Sequence, residues 1–186
     1  FIEMTTKFIS QSTPSANAQN TITVRLASAY GMVIEPDMKI TVAGLTGSAT
    51  PSAVNVPISC IQNVSRQNYF PCMMNWTQTE GKLVIMSDST ISVSGGELLF
   101  ISFNLTNPSY PQVAPDVSIK IDRVLTDWTV LDYSLERGGV FAPLQIAGFT
   151  TANLSQSTPS QMTANKLTVL FGTRTNLLTG TDVRIS

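Results

Sequence analysis

Apolar and polar residues alternate with a period of two along several short stretches of the chain. In residues 20–29 the apolar side chains take every second position, at Ile22, Val24 and Leu26. Residues 37–42 follow the same pattern. Because successive side chains of a strand point to opposite faces, this alternation predicts half-buried antiparallel strands.

Similar signals predict further strands over 5–11, 54–58, 81–87, 97–105, 117–121 and 127–135. Pro57 lacks the N–H that a sheet ladder needs, so the strand that contains it is expected at a sheet edge at best. Residues 97–105 are partly apolar on both faces and are expected to form the most central strand. Residues 60–76 show no clear alternation and predict an irregular, exposed loop.

No window of ten or more residues shows a convincing helical period. Eight or nine short strands, separated by turn signals every 8 to 12 residues or so, predict an all-β sandwich or barrel. The immunoglobulin-like antiparallel β-sandwich is the commonest such fold, and it is our prediction. A fold of this kind carries no function by itself.

The hexapeptide Ser-Gln-Ser-Thr-Pro-Ser occurs twice, at 10–15 and at 155–160. At this offset of 145 residues, 13 positions of 5–41 are identical to their counterparts without a gap. Such self-similarity predicts a tandem repeat. We therefore expect a first complete repeat at 1–147 and the N-terminal strands of a second, truncated repeat at 148–186, within a longer chain. The linker around 145–148 is short, which predicts limited hinge motion.

Charge is scarce. Charged residues make up 12% of the chain, against a typical value of about 25%. The net charge is −1 and no basic cluster occurs, which argues against nucleic acid as a partner. No apolar run reaches the ~18 residues of a membrane span. Ser, Thr, Asn and Gln must supply the polar surface, as in many secreted or cell-surface chains.

The chain has two cysteines, Cys60 and Cys72, and no histidine. Two cysteines alone do not form a zinc site, and their spacing is too wide for a Cys-x-x-Cys redox motif. A structural disulfide is favoured over two buried thiols. It would close a loop of about 13 residues, with a stabilisation of about 3 kcal/mol. It would also indicate an oxidising compartment.

Four asparagines fit the Asn-x-Ser/Thr glycosylation pattern: Asn63, Asn75, Asn104 and Asn153. Two or three such matches arise by chance in a chain so rich in Ser and Thr. Asn63 and Asn75 flank the cysteine loop, which is expected to be exposed. Asn104 falls on the outward phase of its predicted strand.

Catalytic chemistry is not indicated. The lack of histidine excludes Ser-His-Asp and Cys-His nucleophile arrangements. Glu80, Asp88 and Glu97 fall at predicted turns, and Asp127 and Asp132 point to opposite faces of one predicted strand. No phosphate-binding glycine motif and no run of calcium-binding carboxylates occurs. We predict no enzyme activity, no cofactor and no metal site.

The aromatic residues around the cysteines allow two interpretations. Trp76, Tyr69 and Phe70 could form a sugar-stacking platform on the cysteine loop, which would make the chain a glycan- or ligand-binding module. Alternatively, the tryptophan fills the sandwich core, as such a core requires. The second interpretation is favoured.

The segment at 5–15, followed by Asn-Thr-Ile-Thr-Val, resembles the opening of a repeat in large proteins of unicellular algae and related protists. Residues 39–48, 76–85, 103–108 and 115–119 fit the same repeat. The cysteine loop and Arg137-Gly-Gly depart from it. The resemblance implies a long secreted or cell-surface array without an assigned chemistry. We therefore expect an extracellular structural or adhesive module in a filament, appendage or coat, with further repeats and copies of itself as partners.

Overall fold

The computed structural model describes residues 3–62, 68–123, 129–137 and 142–173. These residues form strands and no helix, so they contain no helix that could cross a membrane. The strands are β1 (Met4–Gln11), β2 (Gln19–Ser28), β3 (Met32–Ile34), β4 (Met38–Ala43), β5 (Ala53–Gln62), β6 (Asn68–Thr77), β7 (Lys82–Ser87), β8 (Ile91–Val93), β9 (Leu99–Thr106), β10 (Ser118–Arg123), β11 (Thr129–Ser134), β12 (Glu136–Arg137), β13 (Phe149–Gln156) and β14 (Leu167–Thr173).

Ten of these strands form one sheet in the order β11-β10-β4-β7-β6-β5-β9-β2-β1-β12. Its pairs are antiparallel except for β1 and β12, which run parallel. The sheet curls, and inward side chains from both halves meet in one core. The all-β prediction is confirmed, and the curled sheet is consistent with a β-sandwich. The pairs β3–β8 and β13–β14 form separate two-stranded sheets.

The predicted alternation gives the inward face of the sheet. In β2 the side chains of Ile22, Val24 and Leu26 are fully buried, and the phase that contains Thr21 and Arg25 faces outward. The strands β4 and β9 alternate in the same way. Each buried aliphatic side chain stabilises the fold by about 1.5–3 kcal/mol, so the register of these strands is strongly specified.

Two sheet positions differ in part from expectation. The strand β9 is interior, between β5 and β2, but β5 and β6 lie at the middle of the strand order. The strand with Pro57 is therefore not an edge strand of the sheet. Only residues 59–62 of β5 pair with β9, however, while the half that contains Pro57 pairs with β6 alone. That half is locally an edge, where a missing N–H is tolerated.

The prediction of an irregular loop at 60–76 is wrong. Most of this stretch belongs to β5 and β6, which pair antiparallel and place Cys60 and Cys72 diagonally across the ladder. The two cysteines form a disulfide with their Cα atoms 6.2 Å apart, and both are buried. The disulfide is therefore inside the core rather than on an exposed loop.

We expect the double substitution Cys60→Ala with Cys72→Ala to lower the free energy of unfolding by about 3 kcal/mol, because it releases the constraint on the unfolded chain. Urea denaturation of the two proteins measures the difference. Mild reductant should leave the native disulfide intact, since both sulfur atoms are buried. An unchanged unfolding midpoint in the double variant would contradict this role.

Candidate functional site

The described residues contain no group of three or more His, Cys, Asp or Glu side chains that could hold a metal ion. In one ion pair of these ranges, Lys120 with Asp122 at 3.1 Å, the carboxylate is largely buried. Others lie at the surface, such as Arg137 with Asp116 at 3.1 Å. Exposed pairs of this kind contribute little to stability. The candidate site consists instead of the hairpins β1–β2 and β13–β14 and of the segment at 142–148, which directly precedes the second hairpin.

Trp76 is not part of an exposed binding surface, which corrects the sugar-stacking interpretation. Its side chain is 2% exposed, and its Nε1 donates a hydrogen bond to the carbonyl of Thr50 at 2.9 Å. The alternation of β6 turns Cys72, Met74 and Trp76 inward together. Because Trp76 is buried, the proposed sugar-stacking platform lacks its largest ring. The side chains of Tyr69 and Phe70 lie outside the described part of the structure.

Three of the four predicted glycosylation sites lie on outward positions. Asn104 is exposed on β9 and accepts a hydrogen bond from Thr21 Oγ1 at 2.9 Å. Asn75 is half-buried on β6, and Asn153 is exposed on β13. Asn63 lies outside the described residues. Glycosylation at these positions stays a prediction.

The hairpin β13–β14 has the same register as the hairpin β1–β2, pair for pair, at the offset of 145 residues. The pair Gln156↔Leu167 corresponds to Gln11↔Ile22, and all seven pairs of each hairpin match in this way. Both ladders also have their irregularity at the same place, after the first pair. The sequence repeat is therefore also a repeat of backbone geometry.

The turns of the two hairpins are held by the same hydrogen bonds. In the first turn, the N–H groups of Ser12 and Thr13 donate to Asn20 Oδ1 at 3.0 and 3.3 Å, and Asn20 Nδ2 donates to Gln11 Oε1 at 2.8 Å. In the second turn the corresponding distances, with Asn165 as the acceptor, are 3.1, 3.3 and 2.9 Å. The four residues that make these bonds, Gln11, Ser12, Thr13 and Asn20, are all identical in the second copy.

The two hairpins differ in what covers them. The inward side chains of the first hairpin, among them Ile9, Ile22 and Val24, are fully buried. Their counterparts in the second hairpin are largely exposed: Leu154 by 66%, Leu167 by 63%, Val169 by 41% and Phe171 by 43%. An isolated two-stranded hairpin is only marginally stable in water. The second hairpin therefore has the same strand pairing as the first, but its apolar face is exposed.

A buried group of side-chain amides, Gln11, Asn20 and Asn107, attaches the first hairpin to the rest of the sheet. We call this group the amide clasp. Asn20 Nδ2 donates to Asn107 Oδ1 at 2.7 Å, and Asn107 Nδ2 donates to the carbonyls of Thr13 and Ser15 at 3.0 and 2.8 Å. Asn20 and Asn107 are both 0% exposed. The clasp thus satisfies buried polar groups that would otherwise destabilise the core.

Sequence reasoning did not identify the clasp. The presence of Asn20 and Gln11 in both copies was the available signal for half of it. Asn107 gave no signal of its own, because its partner Asn20 is 87 positions away in the chain.

The segment at 142–148, which includes the predicted short linker at 145–148, packs against the first hairpin and the segment near Gln112. Gln112 Nε2 donates to the carbonyl of Leu144 at 2.7 Å, and the N–H of Ala147 donates to the carbonyl of Pro14 at 3.3 Å. Leu144 and Ile146 are fully buried. The segment is therefore an integrated part of the fold up to Gly148.

No protein-family model matches the chain, and comparison with curated proteins finds no significant relative.

We expect Asn107→Ala to lower the free energy of unfolding by about 2–4 kcal/mol. It removes hydrogen-bond partners from Asn20 and from two carbonyls, and each unsatisfied buried group costs about 1–3 kcal/mol. Asn104→Ala is the matched control, since Asn104 is exposed and close in the chain; its effect should be within about 0.5 kcal/mol. Equal effects of the two substitutions in urea denaturation would contradict the importance of the clasp.

Proposed function

We propose that the chain is an extracellular structural or adhesive protein made of end-to-end β modules, and that it builds a cell-surface filament, appendage or coat. The observation that carries the proposal is the register of β13–β14, which repeats that of β1–β2 and begins directly after the integrated segment at 142–148. In this interpretation residues 1–147 are one module and residues 148–186 begin the next.

The positions of chain entry and exit favour a linear arrangement of such modules. The chain enters β1 at Met4, and β1 runs about 23 Å to Gln11. It leaves beside the other end, because the carbonyl of Gln145 accepts a hydrogen bond from Gln11 Nε2 at 2.8 Å. Entry and exit therefore lie at opposite ends of the same strand, and each further module would extend the array in one direction.

The junction itself favours a stiff connection. A Cβ atom built on Gly148 would overlap the ring of Pro111, so the backbone there lies directly against the first module. A flexible linker needs free residues, but only Ala147 and Gly148 lie between Ile146, which is buried, and Phe149, which begins β13, and the N–H of Ala147 donates to the carbonyl of Pro14. Short, tightly packed junctions suit a component that must keep its shape under load.

The buried disulfide and the outward asparagines support the extracellular location. A stable disulfide is typical of oxidising compartments.

The outer face of the sheet offers groups for lateral contact between modules. The Arg25 guanidinium lies 5.5 Å from the centroid of the Phe8 ring and 5.9 Å from that of the Phe100 ring. The resemblance to algal repeat proteins supports the same proposal.

Non-reducing peptide mapping of the protein from its native source tests this proposal, together with antibody labelling of intact cells. We expect a linked Cys60–Cys72 peptide, hexose on Asn75 or Asn104, peptides that continue past Ser186, and label on surface structures. Antibody raised against an unrelated cytosolic protein of the same cells is the control. Free thiols, unmodified asparagines and intracellular label would overturn the proposal.

We expect Gly148→Ala to loosen the junction, because the new methyl group must displace Pro111 or the segment at 142–148. Hydrogen exchange of the N–H of Ile146 and Ala147, which donate to Gln112 and Pro14, measures this and should become faster. The double variant with Pro111→Gly should restore slower exchange, since it removes the Cβ and Cγ atoms that the new methyl group would overlap. Unchanged exchange in Gly148→Ala would contradict a tightly packed junction.

A further inference from the structure

We propose that the hairpin β13–β14 is a docking surface for the body of another module of the same kind. It would recognise this body through the strand that corresponds to β9 and through the asparagine that corresponds to Asn107, directly after that strand. By body we mean the part of a module that corresponds to residues 29–147. This inference rests on the proposed function and names the partner that the second hairpin binds.

The first hairpin shows which partner fits. The strand β2 pairs with β1 on one side and with β9 on the other, through eight pairs from Gln19↔Thr106 to Leu26↔Leu99. In the described part of the chain, β14 pairs with β13 alone. The side of β14 that corresponds to the β9 side of β2 is therefore an open strand edge next to an apolar face. Open edges of this kind bind an added strand through main-chain hydrogen bonds.

The second hairpin also carries its half of an amide clasp. Asn165 is already oriented by its hydrogen bond to Gln156 Oε1 at 2.9 Å, as Asn20 is by Gln11. The carbonyls of Thr158 and Ser160 correspond to those that accept from Asn107 Nδ2. An arriving side chain must both accept from Asn165 and donate to carbonyls, and a primary amide has both capacities. This chemistry selects asparagine over an apolar residue at that position.

The two faces of the hairpin determine how the body docks. Leu154, Leu167 and Val169 correspond to core residues of the first module, whereas Asn153 and Leu170 correspond to Phe8 and Arg25 on the outer face. Docking therefore covers the first set and leaves the second set accessible. The adjacent residues Val169 and Leu170 thus provide an inward and an outward position on one strand.

The body within the same 147 residues is excluded as the partner. Its β9 edge is already taken by β2. To replace β1, moreover, Phe149 would have to lie at the Met4 end of that strand, while Ala147 is held at the opposite end by the carbonyl of Pro14. The distance between these ends is about 23 Å, and two residues span at most about 7 Å.

A second copy of this chain does not satisfy the surface either. The described residues of each copy contain one body and two hairpins of the β1–β2 type, so exchange between these parts of two copies leaves one hairpin uncovered. The occupant that closes the surface is a body without a hairpin of its own. In an end-to-end array this is the body of the following module in the same polypeptide.

An extended chain tests the inference. Ser186 is the counterpart of Thr41, so a second copy of Val42–Ala147 joined to Ser186 supplies a complete body without a second β1–β2 hairpin. We expect a monomer in light scattering and amide exchange in β13–β14 slowed at least about 100-fold relative to the 186-residue chain, because the hairpin becomes part of a cooperative unit.

Three variants of the extended chain provide the controls. Val169→Arg should abolish the protection of β13–β14, because it places a charge on the docking face. Leu170→Arg, one residue away, should leave it intact, since its counterpart Arg25 is exposed on the outer face. Replacement of the appended copy of Asn107 by leucine should reduce the protection at least about tenfold, through the unsatisfied groups of the clasp.

Three outcomes would overturn the inference. They are equal protection of β13–β14 from amide exchange in the 186-residue chain and in the extended chain, protection that occurs only in a dimer, and equal effects of Val169→Arg and Leu170→Arg. These results concern purified protein. They are separate from the native mapping and labelling that test the extracellular role, so either proposal can fail while the other holds.

Discussion

The buried amide clasp is the interaction on which the arrangement of the first hairpin depends. Asn20 and Asn107 are both removed from water, and their amides are satisfied by each other, by Gln11 and by the N–H and carbonyl groups of the turn. A slip of β2 by one residue would break these bonds and turn Ile22 and Val24 toward solvent. Polar and apolar requirements therefore specify the same register, which makes alternative pairings of the hairpin costly.

The strands that could be predicted from the sequence are those with one buried and one solvent-exposed face. In β2, β4 and β9 the contrast between faces appears directly as alternation. The strand β6 was missed because Pro71 and the neighbouring Met73 and Met74 hide its period, although Cys72, Met74 and Trp76 share one buried phase. The strands β3 and β8 have three residues each, which is too short for any period to show. Their pairing comes from tertiary contacts rather than from local pattern.

The candidate site was predictable only where it is local. The identical residues at 10–15 and 155–160 make short-range bonds within each turn, so the sequence repeat carried the turn geometry with it. Asn107 was not predictable, because its role depends on residues that approach it only in the folded sheet. The exposure of Val169 and Phe171 was equally hidden, since their sequence pattern is that of the buried residues Val24 and Leu26. Pattern specifies which side chains need cover but not whether the cover is present.

The same geometry determines how an end-to-end array would carry tension. Force would enter at Met4 and leave through the segment at 142–148, which is held at the Gln11 end of β1. The load would therefore run along β1, whose hydrogen bonds to β2 are perpendicular to the strands. Bonds loaded in this way resist together, whereas bonds loaded at one end of a hairpin open one after another. Because the amide clasp crosses from β2 to the residue after β9, it also extends this resistance to the next strand. The polar groups that determine the register of the first hairpin are thus also placed to keep it attached under load.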